Sequence, residues 1–141
     1  MAYRFLPDRI HRTLISNGCL QLDQVDELYP PLKLFAPDDT GIWLIVKVMK
    51  HNPNIGYGLI DIGQGNPHQG YIDLQLLGGV RGKMGLPIER DVDFVAKYPQ
   101  WVYVTASTFD GKYTENETIL SGVFALKTIS PTIVYPKPSL N

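Results

Sequence analysis

The sequence is poor in the residues that support disulfide, thiol or metal chemistry. Its 141 residues include one cysteine, Cys19, and three histidines, His11, His51 and His68. A single cysteine cannot close an internal disulfide, and these histidines lack the spacing of metal ligands. No serine stands in a nucleophile-elbow motif. We therefore predict no cofactor, no metal site and no catalytic residue, and the sequence favours a non-enzymatic role.

Long apolar runs and an excess of one charge are also missing. No run approaches the roughly 20 apolar residues of a membrane span, and residues 1–14 lack the apolar core of a secretion signal. We expect a cytoplasmic protein with no membrane partner. The formal net charge of −1 lacks the basic excess that non-specific DNA binding needs, although a local basic patch is compatible with it.

What is present indicates one α+β domain over residues 1–141, with a mostly antiparallel β-sheet and an N-terminal helix packed on it. Pro7 and the Asn17-Gly18 pair bracket a helical segment whose apolar residues share one face. The run 42–49 is apolar almost throughout, which is typical of a strand buried on both faces. Hydrophobic patterning predicts strands at 32–35, 42–49, 55–62, 70–74 and 92–95, with one helical turn at 75–80.

Residues 100–141 are predicted to form an additional β-rich extension with a proline-rich tail. Alternation over 101–109 predicts a strand with Trp101 and Tyr103 on one face, which serves either as a partner surface or as core. Asp110-Gly111 predicts a hairpin turn, and 119–129 one or two more strands. Prolines in 130–141 indicate an edge strand or tail, which would allow a homo-oligomer to form by strand addition.

Glycine and charge are concentrated between residues 70 and 94. Arg81 and Lys83 lie on a glycine-rich turn, where we expect them to be exposed to an anionic partner. Nucleotide-loop motifs fail here and in the glycine-containing stretch 56–65 before it, because His68, Leu77 and Met84 replace the glycine or hydroxyl residues that those motifs require.

The Glu89-Arg90-Asp91 run has two interpretations. In the first, Arg90 pairs with a carboxylate and holds the loop in place. In the second, Glu89, Asp91 and Asp93 form a row of carboxylates along an extended chain and bind a divalent cation.

Two motifs in this region, GYIDL at 70–74 and GLPIERD at 85–91, resemble a family catalogued as domain of unknown function 2958. The resemblance covers about residues 31–94, a family-like core. Its members are small proteins carried by plasmids, phages and other mobile elements. Gln75 and the Gly78-Gly79 pair stand where the family usually has acidic residues. The resemblance implies a compact α+β domain linked to mobile-element biology, and it implies no catalytic residues.

Three functions are therefore expected, in order of preference. The first is a non-enzymatic interaction protein of a phage or plasmid type of element, which binds a host or element-encoded protein, including in defence evasion. The second is a nucleic-acid-binding accessory protein that uses Arg81, Lys83 and the N-terminal arginines. The third is a metal-dependent hydrolase. For the first, the predicted partner-binding residues are Arg81, Lys83, Glu89, Arg90, Asp91, Trp101 and Tyr103.

Overall fold

The structure, a computed structural model, describes residues 3–129. These residues form five helices and one five-stranded sheet. In chain order the elements are α1 (Asp8–Asn17), α2 (Leu22–Val25), β1 (Leu32–Phe35), β2 (Ile42–Met49), β3 (Asn52–Asp61), β4 (His68–Asp73), α3 (Leu74–Gly79), β5 (Glu89–Arg90), α4 (Gln100–Asp110) and α5 (Glu117–Ile129).

The sheet has the strand order β4-β3-β2-β1-β5, and every neighbouring pair is antiparallel. Its centre is the β2–β3 hairpin, in which Trp43 faces Ile60 across the two strands. The short β5 extends the sheet at one edge, where Arg90 pairs with Leu34. The predicted α+β class, antiparallel sheet and N-terminal helix are confirmed.

Helices cover the two faces of the sheet. On one face, Leu14 of α1 packs in a core cluster with Leu34 of β1 and Ile45 of β2. On the other face, Leu44 packs in a second cluster with Val102 of α4. Because neighbouring strand residues point to opposite faces, β2 contributes to both clusters. This confirms the prediction that the apolar run 42–49 is a strand buried on both sides.

The predicted strand at 101–109 is wrong, because these residues belong to helix α4. The side chains from 102 to 107 are all buried, the polar Thr105 and Ser107 among them, so the helix is buried around most of its circumference and its sequence shows no clear helical period. A short apolar run of this kind cannot be assigned by periodicity alone, and burial overrides the strand preference of its β-branched residues. Pro99 before the helix and Gly111 after it were the available sequence signals.

The other β predictions in this region are also wrong. Gly111 adopts a left-handed conformation with φ of 76° and ends α4, so Asp110-Gly111 is a helix terminus and not a hairpin turn. Residues 119–129 belong to α5, whose start is capped by the Asn116 side chain accepting the Ile119 N–H at 3.1 Å. Residues 92–95 form no strand, since pairing with β1 ends at Arg90.

The predicted edge strand or tail at 130–141 lies outside the described residues, so assembly through it stays a prediction. Between residues 3 and 129, none of the helices has both the length and the apolar character required to span a bilayer.

Candidate functional site

Four connections gather at one end of the sheet, which we call the loop end. The antiparallel pairing places the ends of β1 and β3 beside the starts of β2, β4 and β5. The turn 36–41, the loop 62–67 and the segment leading into β5 therefore lie together. The α4–α5 connection reaches the same end, because the Tyr113 N–H donates to Asp61 at 2.7 Å.

The segment 76–86, which runs from α3 to the loop end, presents apolar side chains and positive charge. Met84 is 83% exposed and Leu76 is 72% exposed, and both Val80 and Leu86 are also exposed. No acidic residue occurs within the segment, whose only charged side chains are those of Arg81 and Lys83. The 76–86 segment, which includes the end of α3 and the turn after it, is therefore a basic surface with an apolar component.

Arg81 and Lys83 are exposed, as the sequence predicts for that turn. Among the described residues, the Arg81 guanidinium donates only to carbonyls of its own segment, at 2.9 Å to Val80 and 3.3 Å to Gly78. Lys83 makes no ion pair within residues 3–129. Neither positive charge is neutralised by a carboxylate there, so both remain available to an anionic group.

Asp38, in the turn between β1 and β2, holds the 76–86 segment. Its Oδ2 accepts the Met84 N–H at 2.6 Å and the Leu86 N–H at 3.2 Å. The segment is closed further by the Gly82 N–H, which donates to the Leu86 carbonyl at 2.8 Å. Gly85, with φ of 84°, supplies the left-handed residue that this tight turn needs. The carboxylate of Asp38, which belongs to the β1–β2 turn, thus fixes the conformation of this part of the segment.

Glu89, Arg90 and Asp91, which the sequence predicts as one group, do not share an ion-pair partner in the described part of the chain. Glu89 lies 3.8 Å from Arg4 in an exposed ion pair, whereas Asp91 lies 3.2 Å from the Lys33 ammonium. Arg90 forms no ion pair among the described residues, so its predicted pairing with a carboxylate is wrong.

The carboxylate row proposed for a divalent cation is likewise not assembled. Asp91 is engaged by Lys33 and also accepts the Asp93 N–H at 3.1 Å, while Glu89 turns to Arg4. Within residues 3–129 no three His, Cys, Asp or Glu side chains lie in a group that would hold a metal ion. The geometry therefore lends no support to the metal-dependent hydrolase.

Lys33 is the centre of a cluster that sequence reasoning missed. Its ammonium forms ion pairs with Asp91 and Glu115, and lies 5.3 Å from the ring centroid of Tyr113 and 5.8 Å from that of Phe94. The Tyr113 hydroxyl donates to Glu115 at 2.8 Å. Burial, and then the nearby Glu115 carboxylate, raise the pKa of Tyr113. Because Glu115 is 82 positions from Lys33, no local pattern signals this cluster.

A cleft of about 580 Å³ lies beside this cluster at the loop end. Asp61, buried at its wall, accepts the Gly63 N–H at 2.8 Å as well as the Tyr113 N–H. Thr40 in the same wall donates to the Ile62 carbonyl at 3.2 Å. Asp61 thus connects the sheet to the α4–α5 connection, and Thr40 connects the turn 36–41 to the loop 62–67.

Trp101 and Tyr103 do not belong to the loop-end surface. Tyr103 is 2% exposed in the core, the alternative that the sequence left open, and its hydroxyl accepts the Lys97 N–H at 3.0 Å. Trp101 is half-buried and stacks on Phe124 at 6.3 Å. It stands at the start of α4, about 15 Å along the helix from the loop end.

Fold and surface together define the class of protein, an antiparallel α+β domain with helices on both sheet faces and an exposed basic and apolar segment at one end. The chain belongs to the family described as Protein of unknown function (DUF2958), whose model matches residues 5–114. This confirms the resemblance and extends it beyond residues 31–94, to include both α1 and α4. No curated protein and no solved structure matches the chain significantly.

Proposed function

We propose that this protein is a non-enzymatic interaction protein that binds a protein partner through the 76–86 segment. The observation that carries the proposal is the 83% exposure of Met84 beside Lys83, whose charge has no ion-pair partner among the described residues. Full burial of a Met or Leu side chain contributes roughly 1.5–3 kcal/mol, so a surface that leaves several exposed gains by being covered. Methionine also adapts its shape to a partner more readily than branched side chains do.

The chemistry of the segment indicates the chemistry of the partner. Arg81 and Lys83 favour a carboxylate-bearing surface, and the flanking Met84 and Leu86 favour apolar side chains next to those carboxylates. The partner is thus a protein surface that alternates acidic and apolar groups. A nucleic acid would use the two charges but would leave the apolar side chains uncovered, and two phosphate contacts give only weak binding.

The family supports the biological setting of this proposal. The resemblance of the GYIDL and GLPIERD motifs implies carriage on phages or plasmids, and the partner is then a host or element-encoded protein in the cytoplasm. Blocking a host defence protein is the role that we propose for such binding. No residue of the 76–86 segment is required for chemistry in this scheme.

The test compares capture of host proteins by the purified wild-type protein and by charge variants. Arg81→Glu with Lys83→Glu reverses both charges of the segment, and Met84→Asp removes its most exposed apolar side chain. Arg12→Glu with Lys50→Glu is the matched control, because it makes the same charge change at exposed positions of α1 and the turn after β2.

We expect the wild type and the control to retain the same host protein and both segment variants to retain at least tenfold less. Direct binding to the purified partner should show the same order. Equal recovery by all four proteins, or recovery of nothing but the protein itself, would contradict the proposal. Recovery of nucleic acid whose binding falls steeply with salt would support the accessory-protein alternative instead.

A further inference from the structure

The Asp38 carboxylate makes contacts with the 76–86 segment that are specific in geometry. Both the Met84 and the Leu86 N–H groups donate to the same oxygen, Oδ2, from positions 46 and 48 residues further along the chain. Two backbone donors aimed at one oxygen form a small anion-binding concavity. The left-handed Gly85 lies between them and turns both N–H groups to the same side.

Gly82 provides the complementary surface for the other carboxylate oxygen. The Asp38 Oδ1 is buried and has no hydrogen-bond partner among the described residues. A Cβ atom built on Gly82 would lie 1.5 Å from this oxygen, so the carboxylate is seated directly against the bare glycine backbone. Any larger residue at position 82 would displace Asp38.

We propose that Asp38 is the positioning residue of the partner-binding segment. Its carboxylate holds residues 82–86 in the conformation that exposes Met84 and places Lys83 beside it. This inference rests on the proposed function for its purpose, but the conformational role stands on the hydrogen bonds alone. A segment that is held in advance loses less conformational freedom on binding, so the positioning favours affinity.

The first measurement is amide hydrogen exchange, which needs no partner. We expect the Met84 and Leu86 amides to exchange at least tenfold faster in Asp38→Ala than in the wild type. Amides of the central strands β2 and β3 should exchange at unchanged rates. The urea unfolding midpoint should change little, because Met84 and Leu86 lie at exposed positions where water replaces the lost acceptor. Asp39→Ala is the control, because Asp39 lies in the same turn, is exposed and, within residues 3–129, accepts only the Thr40 N–H.

Two further variants separate positioning from general loss of stability. Gly82→Ala keeps the carboxylate but displaces it, so it should also release the Met84 and Leu86 amides. Asp38→Asn should largely restore their protection, because a single carbonyl oxygen can accept both N–H groups. Unchanged exchange of these amides in both Asp38→Ala and Gly82→Ala would overturn the inference.

Capture of the host partner then tests the proposed function separately. If Asp38 positions a binding segment, Asp38→Ala should retain at least threefold less of the partner whose capture depends on Arg81 and Lys83, and Asp38→Asn should recover part of the loss. Faster exchange with undiminished capture would overturn the contribution to binding. If the wild type captures no such partner, the proposed function fails while the exchange rates still decide the role of Asp38.

Discussion

Replacing Asp61 with alanine tests how the C-terminal helices are attached to the sheet. Asp61 ends β3, is 5% exposed, and accepts the Gly63 N–H at 2.8 Å and the Tyr113 N–H at 2.7 Å. The second bond joins the sheet to the α4–α5 connection, 52 positions away. Asp61→Ala removes both acceptors and leaves the Tyr113 amide half-buried without this partner.

The expected loss follows from the two bonds. A hydrogen bond to a charged group contributes about 1.5–3 kcal/mol, so two independent bonds would contribute about 3–6 kcal/mol. The Gly63 amide lies at an exposed position, where water replaces the lost acceptor. We therefore expect Asp61→Ala to lower the free energy of unfolding by about 3 kcal/mol. Asp61→Asn should lose about 2 kcal/mol, because its amide nitrogen cannot accept the second bond.

Urea unfolding followed by far-UV circular dichroism and tryptophan fluorescence measures this loss. With an m-value of about 2 kcal/mol per M, Asp61→Ala should unfold at a urea concentration about 1.5 M lower than the wild type. Asp39→Ala is the control, because Asp39 lines the same cleft but, in the described part of the chain, accepts only from its neighbour Thr40. It should change the free energy of unfolding by less than about 0.5 kcal/mol. If Asp61→Ala is as mild as this control, the carboxylate does not anchor the helices.

Two further predictions concern packing and pH. Gly58→Ala should lower the free energy of unfolding by about 3 kcal/mol, because its Cβ would lie 2.0 Å from the Leu44 carbonyl oxygen on the adjacent strand. Gly122→Ala in α5 should raise it by about 0.5–1 kcal/mol, because a Cβ there meets no described atom within 4 Å. Thermal melts of both variants measure the contrast, and similar shifts would refute the packing argument. Burial and the Glu115 carboxylate raise the pKa of Tyr113 in the folded protein above its usual 10.0. The protonated Tyr113 hydroxyl therefore contributes fully to the free energy of unfolding below pH 10, and this contribution is lost as the pH rises above 10. Urea midpoints from about pH 9 to about pH 11.5 should therefore fall less steeply in Tyr113→Phe, and equal slopes would contradict the raised pKa.

Local chemistry explains which elements the sequence predicted well. Pro7 immediately precedes α1, Asn17 is its last residue and Gly18 follows it, and the apolar run 42–49 is the whole of β2. In each case the residues that specify the element are within it or directly beside it, so a short stretch of sequence is enough to predict the element. The same holds for Gly85, whose left-handed conformation makes the turn that exposes Arg81 and Lys83.

The candidate site was only partly predictable for the same reason. The exposure of Arg81 and Lys83 follows from a glycine-rich turn. The sequence did not predict the apolar part of the surface, because the exposure of Met84 and Leu76 depends on how the segment packs. The Glu89-Arg90-Asp91 run reads as one cluster in sequence. In the structure Glu89 and Asp91 are paired with different cations from distant elements.

By itself, the sequence determined the α+β class, the family, the N-terminal helix and the central antiparallel hairpin, because side-chain periodicity and turn residues act over a few positions. Only the tertiary structure decided that residues 101–109 form a helix, because burial between the sheet and α5 outweighs the β-branched preference of that run. It also decided the contacts of Asp38 with the 76–86 segment and of Lys33 with Glu115. Those pairs are separated by 46 to 82 positions, and they meet only because the sheet brings their connections to one end.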